Sequence, residues 1–379
     1  MIDLGLASTD LLYFASGVMD IPGVMLTASH NPAQYNGMKF CLAGASPVGE
    51  ESGLRDIRAL AEADALSPAA VTGVVEERDL LGRFTQHVLS FVDVEDMRPL
   101  KVVADTANGM GGLVVPAVLG QLPVDLTHLY SELDGTFPNH PADPIDPANQ
   151  VELKREVLAK GADLGLAFDG DADRCFVVDE TGEGVSGSLV TALVAKAMLA
   201  EHPGSKVVHN VICSWTVPEV IRENGGSAVR TRVGHSFIKQ VMAETGAIFG
   251  GEHSGHYYFR DNYRADSGLI AAVLVMQELS RSGGTMSELL APFRRYATSG
   301  EINSEVADQD ASMDALAQRF SDGRQSRVDG LTVEYGDWWF NVRPSNTEPL
   351  LRLNVEAKTD DLLKERTERL LGLIRGGSL

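Results

Sequence analysis

Short apolar runs alternate with amphipathic segments of helical period along most of the chain. Ala7–Val18 predicts a helix, and the apolar runs Val24–Leu26 and Met38–Leu42 predict short strands. Two amphipathic helices are predicted near Gly53–Ala63 and Leu80–Phe91. Because strands separated by helices form parallel or mixed sheets covered by those helices, this order favours an α/β fold.

The alternation resumes after Arg98-Pro99, where the proline ends the preceding element and a second block begins. In the second block, strands are predicted at Lys101–Ala104, Leu164–Phe168 and Cys175–Val178, and a helix is predicted at Val151–Lys160. A third block of alternating helices and strands starts near Gly187 and ends with the strand Ala247–Phe249.

The pattern changes after Tyr296. From Glu301 a strand and a helix are followed by several successive strands and a final helix, Asp361–Ile374, which is typical of an α+β domain. We therefore predict four domains, comprising residues 1–97, 98–186, 187–297 and 298–379.

The composition narrows the class of protein. The 379 residues, 44% hydrophobic and 22% charged, suffice for about two to four domains and exclude wholesale disorder. The net charge of −21 and the lack of a long basic run exclude nucleic acid as a partner. An anionic substrate would need a local cationic pocket to hold it against the overall negative field.

The three cysteines, Cys41, Cys175 and Cys213, are odd in number, far apart and without a CxxC pair, which indicates a reducing compartment. The N-terminus has neither the basic nor the apolar region of a signal peptide, and the apolar stretch Leu269–Met276 is too short to span a membrane. We expect a cytoplasmic protein without membrane contact, and no obligate protein partner is evident.

The first candidate for chemistry is the polar segment 27–32, Thr-Ala-Ser-His-Asn-Pro, which follows an apolar strand. Pro32 prevents the segment from continuing as a helix, and Ser29 beside His30 at a strand end is typical of an activated nucleophile. A polar turn without chemistry is the alternative.

The second candidate is the segment 169–174, Asp-Gly-Asp-Ala-Asp-Arg, which follows a strongly apolar strand. Three carboxylates that converge without a cation would raise one another's pKa, whereas alternate oxygen ligands on a tight loop suit Mg²⁺ or Ca²⁺. A calcium-binding EF-hand is excluded because Arg174 occupies the obligatory glycine position and strands flank the loop. A solvated acidic turn is the alternative.

Three further loops have distinctive residues. The segment 182–187 matches the GxGxxG pattern of dinucleotide sites, but it lacks the tight turn and the acidic partner that such sites require. The segment 250–256, Gly-Gly-Glu-His-Ser-Gly-His, suits a polyhydroxylated ligand, although it could be a glycine-rich hairpin. The segment 343–349, Arg-Pro-Ser-Asn-Thr-Glu-Pro, has hydrogen-bond donors suited to binding a tetrahedral oxyanion. The chain has no Walker motif, so this would be a phosphate site of another kind.

Taken together, TASHNP, DGDADR, GEHSGH and RPSNTEP resemble the four signature loops of the α-D-phosphohexomutase superfamily, in its phosphomannomutase/phosphoglucomutase branch. They occur in the family's order, one in each predicted domain. The resemblance implies three related α/β domains with mixed sheets and a C-terminal α+β domain around a central cleft. It assigns phosphoserine, metal, sugar and phosphate binding to the four domains in turn.

The resemblance also implies site residues. Ser29 would be the phosphoserine, with His30 beside it, and its phosphate together with Asp169, Asp171 and Asp173 would hold one Mg²⁺. Arg174 would contact that phosphate, and Lys39 and His256 would transfer protons. Substrate binding would involve sugar contacts at Gly234, His235, Glu252 and Ser254, and phosphate contacts at Arg343, Ser345, Asn346 and Thr347.

The implied reaction is reversible phosphoryl transfer between the C6 and C1 hydroxyls of mannose phosphate, and of glucose phosphate, through a sugar 1,6-bisphosphate. The substrates would be hexose 1-phosphates and 6-phosphates. Family members begin with a strand and an Arg-Gly loop that have no counterpart here, so we expect an N-terminally incomplete first domain with an exposed apolar face. An inactive sugar-phosphate-binding remnant and a Mg²⁺-dependent phosphatase are the alternatives.

Overall fold

The computed structural model describes residues 1–63, 73–345 and 350–376. Within these residues, the first region contains the α-helices α1 (Thr9–Met19), α2 (Arg55–Glu62) and α3 (Leu81–Leu89). Its strands are short: β1 (Ile2–Asp3), β2 (Gly23–Leu26), β3 (Met38–Leu42), β4 (Ser46–Pro47) and β5 (Glu76–Glu77).

The strands of the first region form two separate sheets. β1 pairs with β5 in parallel, and β2, β3 and β4 form an antiparallel sheet in which Met25 lies opposite Lys39. One face of the antiparallel sheet carries apolar side chains that are between 51% and 74% exposed, namely Val24, Leu26, Met38 and Leu42.

The second region is a five-stranded mixed sheet between helices. Its elements are β6 (Leu100–Asp105), α4 (Gly111–Leu119), β7 (Val124–Leu129), α5 (Val151–Lys160), β8 (Leu164–Phe168), β9 (Cys175–Asp179) and β10 (Gly184–Val185). The strand order is β10-β9-β8-β6-β7, with β7, β6 and β8 parallel and the other pairs antiparallel.

Three elements of this region, α4, β7 and β10, were not predicted from the sequence. The helix α4 starts at Gly111-Gly112 and contains Pro116, and glycine and proline are poor helix formers. It forms because Val114 and Val118 are completely buried, so tertiary packing overrides the local preference. β7, at the edge of the sheet, was missed together with the helix that leads into it.

The third region repeats the alternation on a four-stranded mixed sheet of order β12-β11-β13-β14. Its elements are α6 (Gly187–Glu201), β11 (Lys206–Asn210), α7 (Thr216–Glu223), β12 (Ser227–Thr231), α8 (His235–Thr245), β13 (Phe249–Gly251), β14 (Tyr257–Phe259), α9 (Gly268–Ser282) and α10 (Met286–Leu290). The apolar stretch of α9 is buried in the core shared by the first three regions. Within the described residues, no helix combines the length and apolar character that a membrane span requires.

The last region has an antiparallel sheet and its own buried cluster. Its elements are β15 (Ala297–Glu305), α11 (Gln309–Arg319), β16 (Arg324–Ser326), β17 (Leu331–Glu334), β18 (Trp338–Pro344), β19 (Leu350–Ala357) and α12 (Asp360–Ile374). The strand order is β15-β19-β18-β17-β16. The predicted fold class, three α/β domains with mixed sheets and a C-terminal α+β domain, is confirmed. The predicted domain boundaries stay a prediction.

Candidate active site

The loop that follows β8 brings three carboxylates together. Asp169, Asp171 and Asp173 are at most 2% exposed, and an oxygen of each lies within 4.8 Å of the others. Arg174 folds back on this loop, where its Nε donates to Asp169 Oδ2 at 2.9 Å and its backbone N–H donates to Asp169 Oδ1 at 3.1 Å. The alternative of a solvated acidic turn is wrong, because the three side chains are buried.

Ser29 contacts this loop across a sequence separation of 140 residues. Its Oγ lies 2.9 Å from Asp169 Oδ2 and 3.0 Å from Asp171 Oδ1, so its single hydroxyl proton is offered to two carboxylates. His30 Nδ1 lies 3.3 Å from the same oxygen. Ser29 has a φ of 54°, a left-handed conformation that is uncommon for a residue with a side chain and recurs at functional sites.

The two loops meet through a glycine. A Cβ added at Gly170 would lie only 2.2 Å from the carbonyl oxygen of Ser29, a distance that real Cβ contacts do not show. Gly170 in turn accepts a hydrogen bond at its carbonyl from the backbone N–H of Met110 at 2.9 Å. The glycine is therefore required by the close approach of the serine loop, not by an unusual φ.

We expect Gly170→Ala to displace the Ser29 loop and lower kcat/KM by roughly 100-fold, because about 1 Å of misplacement at reacting atoms has that effect. Gly135→Ala is the matched control, since a Cβ at Gly135 meets open space. Steady-state kinetics and thermal unfolding of both variants check this expectation. Wild-type activity in folded Gly170→Ala would contradict it.

Lys39 supplies a cation to the cluster from the strand beside β2. Its Nζ lies 2.7 Å from Asp171 Oδ2 and 2.6 Å from Asp173 Oδ2. The antiparallel register of β2 and β3 positions Lys39 near Ser29. Lys39 lies opposite Met25, and Met25 precedes Ser29 by four residues along the chain. One ammonium group thus bridges two of the three carboxylates.

Two threonines that were not predicted from the sequence also contact Asp171. Thr9, at the start of α1, donates from Oγ1 to Asp171 Oδ2 at 2.7 Å, and Thr27 Oγ1 lies 3.2 Å from the same oxygen. Thr27 lies within the TASHNP segment and could have been selected. The sequence around Thr9 does not indicate a role at this site, because that role depends on the packing of α1 against the second region.

The electrostatics of the loop fit a divalent cation. Burial raises the pKa of Asp169 to about 7, and the charges of Asp173 and Asp171 add to the rise while Arg174 opposes it. Burial also opposes ionisation of Asp171, yet Lys39 holds the pKa of that carboxyl below its usual range. Among the described residues, Asp173 Oδ1 is buried without a hydrogen-bond partner. Buried carboxylates with an oxygen left over match the ligand set of Mg²⁺.

His256 reaches the same cluster from the third region. A backbone bridge joins it to Arg174, and its Nδ1 lies 2.9 Å from Asp266 Oδ2 and 3.8 Å from Asp173 Oδ1. Partial burial favours the neutral imidazole, but the charge of Asp173 and the contact with Asp266 together raise the pKa of His256. Asp266 gave no signal in the sequence because it is a single acidic residue in an irregular segment.

Glu252 organises the glycine-rich loop. Its Oε1 accepts from the hydroxyl of Tyr258 at 2.6 Å, and its Oε2 accepts from Asn210 Nδ2 at 3.0 Å and from the backbone N–H of Gly234 at 3.3 Å. Ser254 is half-buried in the same loop. The hydrogen bond to Gly234, whose φ is 125°, ties this loop to the turn that begins α8.

His235 is the first residue of α8 and is exposed on that turn. The last region is bonded to the same turn, because the backbone N–H of Val233 donates to Asp329 Oδ2 at 2.9 Å. Arg230 and Glu334 add an ion pair at 2.6 Å between the same two regions. The last region therefore lies beside the turn that carries Gly234 and His235.

Arg343, at the end of β18, donates from Nη2 to Glu301 Oε2 at 2.7 Å. Within the described part of the chain its Nε is buried without a hydrogen-bond partner. Arg343 also acts electrostatically on His253 of the glycine-rich loop. Ser345 follows in a buried position, whereas Asn346 and Thr347 lie outside the described residues.

Comparisons with known proteins identify the family to which the chain belongs. Models of a single family, described as phosphoglucomutase/phosphomannomutase, match as alpha/beta/alpha domain I at residues 1–67, domain II at 82–184, domain III at 186–296 and the C-terminal domain at 301–373. A phosphomannomutase of Salmonella montevideo is 39% identical over 386 residues, which cover 99% of this chain and 85% of that protein. A protein of Xanthomonas campestris pv. campestris named for phosphohexose mutases is 40% identical, with the same coverage of 99% and 85%.

Solved structures show the same fold. A phosphoglucomutase/phosphomannomutase family protein of Burkholderia thailandensis superposes with a TM-score of 0.89 at 30% identity, covering 100% of this chain and 84% of that one. An N-acetylphosphoglucosamine mutase of Aspergillus fumigatus, solved with GlcNAc-6P and magnesium, superposes with a TM-score of 0.65 at 16% identity, covering 98% and 93%. This chain belongs to the phosphoglucomutase/phosphomannomutase family of intramolecular phosphotransferases.

Proposed function

We propose that the protein is a phosphohexomutase that moves a phosphoryl group reversibly between the C6 and C1 hydroxyls of mannose phosphate, and of glucose phosphate. The route passes through phosphorylated Ser29 and a sugar 1,6-bisphosphate. One observation carries the proposal: the Ser29 hydroxyl lies 2.9 Å and 3.0 Å from two of three convergent buried carboxylates. Such a serine can exchange a phosphoryl group beside a cation.

Asp169, Asp171 and Asp173 would hold one Mg²⁺, together with the phosphate on Ser29. Two observations support this assignment: all three carboxylates are buried, and Asp173 Oδ1 has no hydrogen-bond partner within the described part of the chain. The presence of magnesium in the Aspergillus fumigatus mutase structure is in keeping with it. A bound Mg²⁺ would lower the charge of the phosphoryl group and ease its transfer.

Arg174 would bind the transferring phosphoryl group. Its Nε is engaged with Asp169, whereas its buried Nη2 has no hydrogen-bond partner among the described residues. An unpaired buried guanidinium donor is costly unless a ligand accepts from it, and phosphate oxygens are suitable acceptors. The same reasoning supports a role for Arg343 at the phosphate that does not react, because its Nε has no hydrogen-bond partner in the residues that the structure describes. Ser345, Asn346 and Thr347 would complete that phosphate site.

Protons would pass through His256 and Lys39. Asp266 engages Nδ1 of His256, which leaves Nε2 to exchange a proton with the sugar hydroxyl. Lys39 donates to Asp171 and Asp173. His30, 3.3 Å from Ser29 Oγ, would assist when the serine hydroxyl is regenerated.

Glu252, Ser254, Gly234 and His235 would bind the hexose hydroxyls. We expect Glu252→Gln to lower kcat/KM about tenfold, because the amide nitrogen would face donors where the carboxylate accepts three hydrogen bonds. Glu244→Gln, an exposed change on α8, is the control. A loss of thermal stability in Glu252→Gln without any change in kcat/KM would assign Glu252 to folding instead.

The substrates would be the hexose 1-phosphates and 6-phosphates, with the sugar 1,6-bisphosphate as intermediate and activator. A cytoplasmic location is part of the proposal, and it is supported by three cysteines that are free and buried. Neither nucleic acid nor a membrane nor an obligate protein partner enters the proposal.

An assay of mannose 1-phosphate and glucose 1-phosphate, primed with glucose 1,6-bisphosphate and Mg²⁺, tests the function. We expect the amount of hexose 6-phosphate formed to exceed the amount of inorganic phosphate released by far. Release of inorganic phosphate without isomer would instead identify a phosphatase. Binding of sugar phosphate without either product would identify an inactive binding protein.

A further inference from the structure

Lys239 is a buried cation that the proposed chemistry does not use. It lies on α8, one helical turn after His235, and is 2% exposed. Its Nζ lies 2.8 Å from Asp266 Oδ1 and 3.9 Å from the centre of the Tyr13 ring. A buried ammonium group is costly unless it is paired, and Asp266 is the carboxylate that pairs with Lys239.

Asp266 divides its two oxygens between two partners. Oδ1 faces Lys239 at 2.8 Å, and Oδ2 faces Nδ1 of His256 at 2.9 Å. The carboxylate is itself 2% exposed, so water does not compete freely for either oxygen. The Asp266 carboxylate thus links the position of Lys239 to the orientation of the His256 ring.

The surroundings restrict this linkage further. The His256 ring is inclined by 27° to the Tyr258 ring at a centroid distance of 6.2 Å, and the Tyr258 hydroxyl donates to Glu252. Lys239 Nζ lies 5.9 Å from the centre of the same ring. Lys239 also joins two regions, because Tyr13 belongs to α1 and Asp266 to the third region.

We propose that Lys239 is a positioning residue for His256. It fixes Asp266 so that Asp266 accepts the Nδ1 proton of His256 and leaves the lone pair of Nε2 available for the sugar hydroxyl. The inference rests on the proposed function, in which His256 exchanges a proton with substrate. Without Lys239, the freed Asp266 oxygen would turn toward another donor, and the imidazole would lose its fixed orientation and tautomer.

The kinetic test uses Lys239→Met, which keeps the apolar volume of the side chain and removes the charge, with Lys239→Arg as the charge-retaining variant. We expect kcat to fall about tenfold or more in Lys239→Met with KM nearly unchanged, and to recover in part in Lys239→Arg. Lys196→Met, an exposed lysine of α6, serves as control. An unchanged kcat in folded Lys239→Met would overturn the proposal.

The spectroscopic test does not depend on turnover. Nitrogen chemical shifts of ¹⁵N-labelled histidine side chains, with His256 assigned by His256→Gln, report which ring nitrogen carries the proton. At a pH above the pKa of His256, where the ring is neutral, we expect the Nδ1–H form in the wild type and in Lys239→Arg, and a mixture of tautomers in Lys239→Met. A wild-type His256 protonated at Nε2 alone would overturn the inference, even if Lys239→Met did not fold.

The two tests also separate this inference from the proposed function. If the wild type forms no hexose 6-phosphate, the function fails, and the tautomer of His256 still decides whether Lys239 positions the ring. If the wild type is an active mutase and Lys239→Met matches it in kcat, the inference fails and the function stands.

Discussion

Ser29→Ala is expected to reduce mutase turnover by roughly 10³-fold or more, because no other hydroxyl of the cluster can replace the nucleophile. Thr9 and Thr27 also contact Asp171, but neither contacts Asp169. The variant keeps the buried carboxylates and the loops that bind sugar and phosphate. We therefore expect hexose phosphate to bind to Ser29→Ala with little change in affinity.

Intact-mass analysis of the wild type and of Ser29→Ala tests whether Ser29 carries the phosphate. The active wild type is expected to be about 80 Da heavier in its phosphorylated fraction, and Ser29→Ala to lack that fraction. Ser52→Ala, which changes an exposed serine of the same region, should retain both the added mass and the turnover. Phosphate on another residue of an active Ser29→Ala preparation would contradict the assignment.

Asp171→Asn is the second change with a large expected effect. Asp171 contacts Thr9, Thr27, Ser29 and Lys39, and its replacement removes one anionic ligand from the predicted metal site. The amide nitrogen of asparagine would face at least one of these donors, which adds an unfavourable contact in a buried position. We expect Mg²⁺ affinity and kcat to fall together, each by roughly 100-fold.

Asp163→Asn is the matched control for this change. Asp163 belongs to the same region but pairs with Arg98 and with the backbone of Lys101, near the opposite end of β8. Titration of activity with Mg²⁺, after treatment with EDTA, compares the two variants. If the wild type continued to turn over in excess EDTA, the assignment of a metal site to Asp171 would be contradicted.

The loops whose functional residues are close together in the sequence were predictable. The carboxylates at 169, 171 and 173 occur within five residues after an apolar strand, and Ser29 lies beside His30 at the end of another. Local sequence is sufficient for such sites because a strand end fixes where the following side chains lie. That these two loops meet was implied by the family resemblance, since no local signal connects residues so far apart in the chain.

The supporting residues were not predictable in the same way. Lys239 is one polar residue in an amphipathic helix, where a solvated lysine is the ordinary expectation, and Asp266 is a single acid in an irregular segment. Their burial and pairing depend on how α1, α8 and the segment before α9 pack together. The helix α4 was missed for a related reason: its glycines and proline disfavour a helix locally, whereas burial of Val114 and Val118 stabilises it.

The central claim is that Ser29 carries the phosphoryl group and transfers it to a hexose phosphate. Its most direct test is a single-turnover chase in which enzyme labelled on Ser29 with radioactive phosphate is mixed with excess unlabelled hexose 1-phosphate and Mg²⁺. We expect the label to leave the protein within one turnover and to appear first in the sugar 1,6-bisphosphate and then in hexose 6-phosphate. Label released only as inorganic phosphate, or retained on the protein while isomer accumulates, would contradict the claim.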